Sequence, residues 1–176
     1  MKGLMNKYLM TKLMLAIVAL SGLVAFAANN QVVSRALNIA RPDVKVQISG
    51  SVQRDGKTVS FDIAEAVKGG ETLDWNISSA NEGAGDAQNY RVVGQIPKGT
   101  IFVAGTAKGD EAPQITYSID AGKTFSAQPM IDEKQSDGTT KKVAAPVSIY
   151  TQVMFEWAKP LASQATFNTT YRVRVK

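Results

Sequence analysis

Leu73-Asp74-Trp75-Asn76-Ile77-Ser78 alternates large apolar and polar side chains without a break. Successive side chains of a strand point to opposite faces, so Leu73, Trp75 and Ile77 share one face and Asp74, Asn76 and Ser78 the other. A helix would scatter both sets around its surface. The segment reads as a strand with one covered and one wet face, the pattern of an antiparallel sheet. Lys68-Gly69-Gly70-Glu71 makes the turn before it, and a Gly-rich loop from Asn81 to Asp86 follows.

The same period of two recurs on both sides. Upstream, Val44, Val46 and Ile48 alternate with Lys45, Gln47 and Ser49, which predicts a buried face for the first set. Asp55-Gly56 is a hairpin signal, with Thr58 to Ile63 as the return strand. Downstream, Tyr90 to Ile96 ends at Pro97-Lys98-Gly99, read as a turn with Pro at its second position. Ile101-Phe102-Val103 follows, then a turn at Ala107 to Asp110. Ile115, Tyr117 and Ile119 lead into Asp120-Ala121-Gly122-Lys123, and Thr124-Phe125 begins the return. Asp132 to Lys142 is the most polar stretch, a long hairpin tip or a mobile loop. Ile149, Val153, Phe155 and Trp157 share a face, as do Phe167, Tyr171, Val173 and Val175. About nine short strands at this spacing, with no helix after residue 43, predict an all-β antiparallel sandwich.

The first 27 residues follow another rule. Lys2, Lys7 and Lys12 precede an apolar run from Leu13 to Phe26, closed by Ala25-Phe26-Ala27. A positive start, a short apolar core and small residues at −3 and −1 predict a secretory signal cut after Ala27. A retained membrane anchor is the other reading, but the run is 14 residues long, broken by Ser21 and Gly22, and falls short of the roughly 20 that span a bilayer. The expected organisation is a signal at 1–27, an N-terminal arm at 28–43 and a β-sandwich at 44–176. The mature protein is then extracytoplasmic, secreted or held at the cell surface or envelope, with no membrane span.

The leader's lysines are its only charges, so cleavage lowers the net charge from +5 to +2. That gives no electrostatic case for nucleic acid. The chain has no Cys and no His. A hydrophobic core must therefore hold it without disulfides. Nucleophile systems built on His or Cys, and the usual zinc ligands, are excluded. No carboxylate pair emerges from the scattered acids, so no enzyme and no cofactor are expected.

Several phrases stand in a characteristic order: Gly69-Gly70-Glu71-Thr72-Leu73-Asp74-Trp75-Asn76-Ile77, Asn81-Glu82-Gly83, Asn89-Tyr90-Arg91-Val92-Val93, and Gln95-Ile96-Pro97-Lys98-Gly99-Thr100. Thr116-Tyr117-Ser118-Ile119-Asp120-Ala121-Gly122-Lys123-Thr124-Phe125 and Phe167 to Val175 complete the series. Over about residues 60–176 the chain resembles the conserved-repeat domain of bacterial and archaeal surface proteins, also called domain of unknown function eleven. It departs at Gly94-Gln95, where the family usually carries Asp, and at Trp75 to Ser78, where Thr and aromatics usually alternate. The resemblance implies an immunoglobulin-like sandwich outside the cell, without established catalytic residues. Such domains often occur in tandem; a single copy suggests a subunit or accessory protein.

Candidate sites are few. Ser118 to Phe125 also fits an Asp-box hairpin, in which Asp120 accepts turn hydrogen bonds, Gly122 permits positive φ and Phe125 packs. Asp132, Glu133 and Asp137 offer oxygen ligands for calcium, as do Asn81, Glu82 and Asp86, but neither set has EF-hand spacing. Trp75 and Trp157 sit in phase with inward aliphatics and read as core rather than as sugar platforms. Tyr90 and Tyr150 are candidates for exposure. In the arm, Val32, Val33, Leu37 and Ile39 suggest a strand that adds to a sheet edge on a neighbouring copy. The function expected is non-enzymatic: a structural or adhesive protein of the prokaryotic surface, contacting other surface proteins or copies of itself. The alternative is a binding module for a surface polysaccharide.

Overall fold

The structure is a computed structural model and describes residues 41–61 and 66–176. The chain divides between Arg41 and Pro42. The expected leader, the arm residues Val32, Val33, Leu37 and Ile39, and Ile63 lie outside the described residues.

Eleven strands follow in order: β1 Val44–Arg54, β2 Lys57–Ser60, β3 Thr72–Asn81, β4 Arg91–Gln95, β5 Thr100–Phe102, β6 Lys108–Gly109, β7 Gln114–Ser118, β8 Met130–Lys134, β9 Thr140–Ala144, β10 Gln152–Glu156 and β11 Thr166–Val175. Among the described residues the one helical element is a 3₁₀ turn at Val147–Ile149. All pairings are antiparallel. The larger sheet runs β2-β1-β3-β11-β5, with β6 also on β11; the smaller runs β4-β10-β7; β8 and β9 form a separate hairpin.

The alternation at Leu73 to Ser78 does what it predicts. Leu73 and Ile77 are buried, and they meet Val173 and Thr169 of β11 across the ladder. Val153 and Phe155 of β10 close the core from the smaller sheet, giving a sandwich-like all-β fold. Trp157 stacks on Phe167 with ring centroids 4.7 Å apart, and its indole N–H donates to the Asp110 carbonyl at 2.8 Å. Tyr90 completes an aromatic triad with Trp157 and Phe167, its ring centroid 5.6 and 6.5 Å from theirs, and is half-buried rather than free. Tyr150 is likewise half-buried, against Phe102 and Tyr117.

The two sheets are tied directly by Tyr171. Its hydroxyl donates to the Gln95 carbonyl at 2.6 Å, and its ring lies against Gly94. A Cβ on Gly94 would come within 2.5 Å of that ring. Gly94-Gln95 is therefore where β4 receives a tyrosine from β11.

Turn chemistry is local. Asp55 and Gly56 both take positive φ, 50° and 75°, as a two-residue hairpin loop requires. At Pro97 to Thr100 the Thr100 N–H donates to the Pro97 carbonyl, so Pro97 holds the first turn position and Gly99 the third. Glu111 and Ala112 take φ of 57° and 48° without being glycine. A left-handed residue with a Cβ costs about 1–2 kcal/mol. Ala112→Gly is expected to raise the unfolding free energy by about 0.5 kcal/mol, net of glycine's greater unfolded-state entropy, as read by thermal melting.

Beyond the placement of Pro97, four local expectations change. Lys108-Gly109 is strand rather than turn, because it pairs with Thr170 and Thr169 of β11; the chain turns afterwards, at Asp110 to Ala112. The return after Asp120 is reduced to one bridge, Ser126 with Tyr117. Ile149 lies in the 3₁₀ turn and is exposed, while Val153, Phe155 and Trp157 are buried. Most consequentially, Val46 and Ile48 are 48% and 61% exposed. Their face is the inner one, since Ile48 stands opposite buried Ile77. The smaller sheet, with three five-residue strands, spans about 17 Å along each strand and cannot cover the roughly 36 Å of β1.

Candidate functional site

The uncovered half of β1 is also an open edge. β2 pairs with β1 only from Ser51 to Arg54, and the Phe61 N–H extends that contact to the Gly50 carbonyl at 3.0 Å. Among the described residues, nothing pairs with the outer edge from Val44 to Ser49. The backbone direction follows from two bonds. The Glu82 N–H donates to the Asp43 carbonyl, so odd-numbered β1 residues exchange hydrogen bonds with β3; Gly50, on the even phase, bonds toward β2. The N–H and C=O groups of Val44, Val46 and Ile48 therefore point outward from the edge. Val46 and Ile48 thus combine outward backbone groups with exposed aliphatic side chains, while Val44 is half-buried against the core.

Sheet edges in folded proteins are usually blunted by Pro, by inward charges, by a bulge or by a cover. Here Pro42 stands before the strand, and Lys45 points to the outer face, paired with Asp43 at 2.9 Å. Neither interrupts Val44 to Ile48. Such an edge can take a strand from a partner through backbone hydrogen bonds.

The start of β1 is held rigidly. Asn81, at 1% exposure, accepts the Asp43 N–H at 3.1 Å and the Gly83 N–H at 3.1 Å on Oδ1. Its Nδ2 donates to the carbonyls of Gly85, Leu161 and Ala162 at 2.8, 3.0 and 3.2 Å. Its side chain thus clamps two loops and the entry to β1. Glu82 is exposed, and Asp86 accepts the Ser163 N–H at 2.9 Å, so the three do not converge on a cation.

The other β1 end is an ion pair. Arg54 Nε and Nη2 donate to the two Glu71 carboxylate oxygens at 2.8 and 3.1 Å, and the Lys68 N–H adds a third bond at 2.6 Å. The Arg54 hydrogen bonds, then the Lys68 N–H, hold the Glu71 carboxyl down to about 2, against 4.5 ordinarily. A carboxyl lowered in the folded state stabilises above its unfolded value, and the contribution is lost as pH falls through the folded value. Wild type is expected to lose stability between about pH 4.5 and 2 more steeply than Glu71→Gln, followed by chemical denaturation at each pH.

In the Ser118 to Phe125 hairpin, Asp120 Oδ2 accepts the Thr124 hydroxyl at 2.6 Å, and Oδ1 accepts the Thr124 N–H at 3.0 Å and the Ser118 hydroxyl at 2.7 Å. These bonds, Thr124's hydroxyl first, hold the Asp120 carboxyl well below the usual range. Gly122 has φ of 88°, and Phe125 is half-buried. The carboxylate is spent on its own turn. Asp132 and Glu133 stand opposite Lys142 and Lys141 in the β8–β9 hairpin, and Asp137 accepts the Thr139 N–H and hydroxyl at the tip. Among the described residues, no three acids gather as metal ligands.

The outer face of the larger sheet forms a trough of about 630 Å³ whose lining includes Ser49, Ser51, Ser60, Asn76, Thr170 and Arg172. Thr170 Oγ1 is buried there without a hydrogen-bond partner. Sequence reasoning missed both this trough and the open edge. Parity marks which face a residue takes; only sheet order and relative strand length tell which part of a face is covered. Among the described residues, no helix is long and apolar enough to cross a membrane. No family model, curated protein or solved structure matches the chain.

Proposed function

We propose that this chain is a secreted, non-enzymatic structural or adhesive protein of the prokaryotic cell surface, acting through protein–protein contacts at the open edge of β1. The observation that carries the reading is the coincidence, on one edge, of exposed Val46 and Ile48 with backbone that has no partner among the described residues. The leader at 1–27 supports export, and the order of motifs supports kinship with the conserved-repeat surface domain. Residues 28–43, with Val32, Val33, Leu37 and Ile39, are proposed as an assembly arm.

The immunoglobulin-like part of this proposal concerns two-sheet packing. Counting the seven principal strands β1, β3, β4, β5, β7, β10 and β11, the sheets read first-second-seventh-fourth and third-sixth-fifth. In immunoglobulin domains the fifth strand lies beside the second, and the seventh beside the sixth. Exchange of these two strands distinguishes the present chain.

The test places charge on the edge. Val46→Lys with Ile48→Lys, at exposed positions, is expected to leave stability within about 1 kcal/mol and to release the exported chain from the cell surface. Cell-associated and free fractions, read beside a denaturation curve, check both halves. Equal surface retention of the two proteins would overturn the reading, as would turnover of a substrate abolished by one acidic substitution.

The second reading, a polysaccharide module, draws on the outer trough, whose hydroxyl, amide and guanidinium groups suit a polyhydroxylated chain. The trough's aromatic lining residues are Tyr171, which is buried, and Trp75, which is half-buried with its ring edge-on to Phe61 at 5.2 Å, so neither presents an open stacking face. Retention that survives the edge lysines but is lost with Asn76→Ala and Arg172→Ala would favour it.

A further inference from the structure

We infer that the open half of β1 pairs with the same half of β1 in a second copy, antiparallel about a two-fold axis at Val46. This rests on the reading of that edge as the contact surface and names its partner.

The register follows from three constraints. Outward backbone groups belong to Val44, Val46 and Ile48, so hydrogen-bonded pairs across the new contact must join even-numbered residues. The window is closed at one end by Pro42, which has no N–H, and at the other by Phe61, which already occupies Gly50. An axis at Lys45 would place Lys45 opposite its own copy and spend a pairing on Pro42. An axis at Gln47 would call on the filled edge of Gly50. The axis at Val46 uses all three residues whose outward edge has no partner among the described residues: Val44 faces Ile48 of the second copy, and Val46 faces itself. Three such pairs exchange about six backbone hydrogen bonds.

The side chains fit the same register. On the inner face, exposed Val46 and Ile48 meet aliphatic partners and leave water. On the outer face, Lys45 stands opposite Gln47 and Asp43 opposite Ser49, so no like charges are opposed. The contact is isologous and closes at two copies, joining the larger sheets edge to edge.

Because the chain lacks cysteine, single introduced thiols report the register. In this pairing, Cα atoms at 46 and 46 lie about 5.5 Å apart, within disulfide reach, whereas 48 and 48 lie beyond about 10 Å. Under mild oxidation, Val46→Cys is expected to give at least about ten times more covalent dimer than Ile48→Cys alone. Ile48→Cys mixed with Val44→Cys should restore the dimer. Melting curves confirm that each variant folds. Dimer yields from Val46→Cys no greater than from Ile48→Cys would overturn the inference. If the chain then still associates through another segment, such as residues 28–43, or holds another surface protein through the edge, the contact reading stands and only the second-copy partner falls. A monomer whose edge lysines change nothing at the cell surface removes both.

Discussion

Asn81→Ala is expected to lower the unfolding free energy by about 3–5 kcal/mol, measured in urea. The side chain is fully satisfied by five backbone groups from three segments. Truncation strands these groups, and each that water cannot reach costs about 1–3 kcal/mol. Asn81→Asp separates hydrogen bonding from size. A carboxylate facing the carbonyls of Gly85, Leu161 and Ala162 cannot donate, and its charge is repelled by them. Burial raises its folded-state pKa, so this variant should gain stability as pH falls and the acid protonates. Wild-type-like stability of Asn81→Ala would show that the loops, not the amide, hold the start of β1.

The second large effect is expected at Gly94. An alanine methyl would stand 2.5 Å from Tyr171 Cε1, far inside contact distance. The ring cannot retreat without breaking its hydroxyl bond to Gln95 and parting β11 from β4. Overpacking of this kind costs about 3 kcal/mol. Tyr171→Phe keeps the ring and loses only the hydrogen bond, so about 1 kcal/mol is expected. Adding it to Gly94→Ala should rescue little, because the clash lies with the ring. Urea midpoints of the three variants decide the matter; a double variant as stable as Tyr171→Phe alone would sink the account.

The contrast between Ile77 and Ile48 shows what could be read from the sequence. Both sit on the inner face, directly opposite one another, and period alone assigns both to the core. One is 1% exposed and the other 61%. The difference comes from the position of the smaller sheet, a property of long-range pairing that no window of neighbouring residues encodes. Hairpins with their own chemistry were legible: Asp55-Gly56 bends as its residues demand. Glu111-Ala112 was not, since tertiary contacts hold a conformation that local preference opposes. Asn81 looked like a loop residue because Asn, Glu and Gly abound there. Its partners at Leu161 and Ala162 lie some eighty positions away and leave no local signature.

β11 follows every other strand in the chain, yet it sits inside the larger sheet, between β3 and β5. Until Thr166 to Val175 are present, β3 has no neighbour on that side and Leu73 and Ile77 lose their cross-strand partners. A growing chain can therefore complete its smaller sheet and the β8–β9 hairpin first, and the larger sheet closes only when β11 arrives to join β3 to β5.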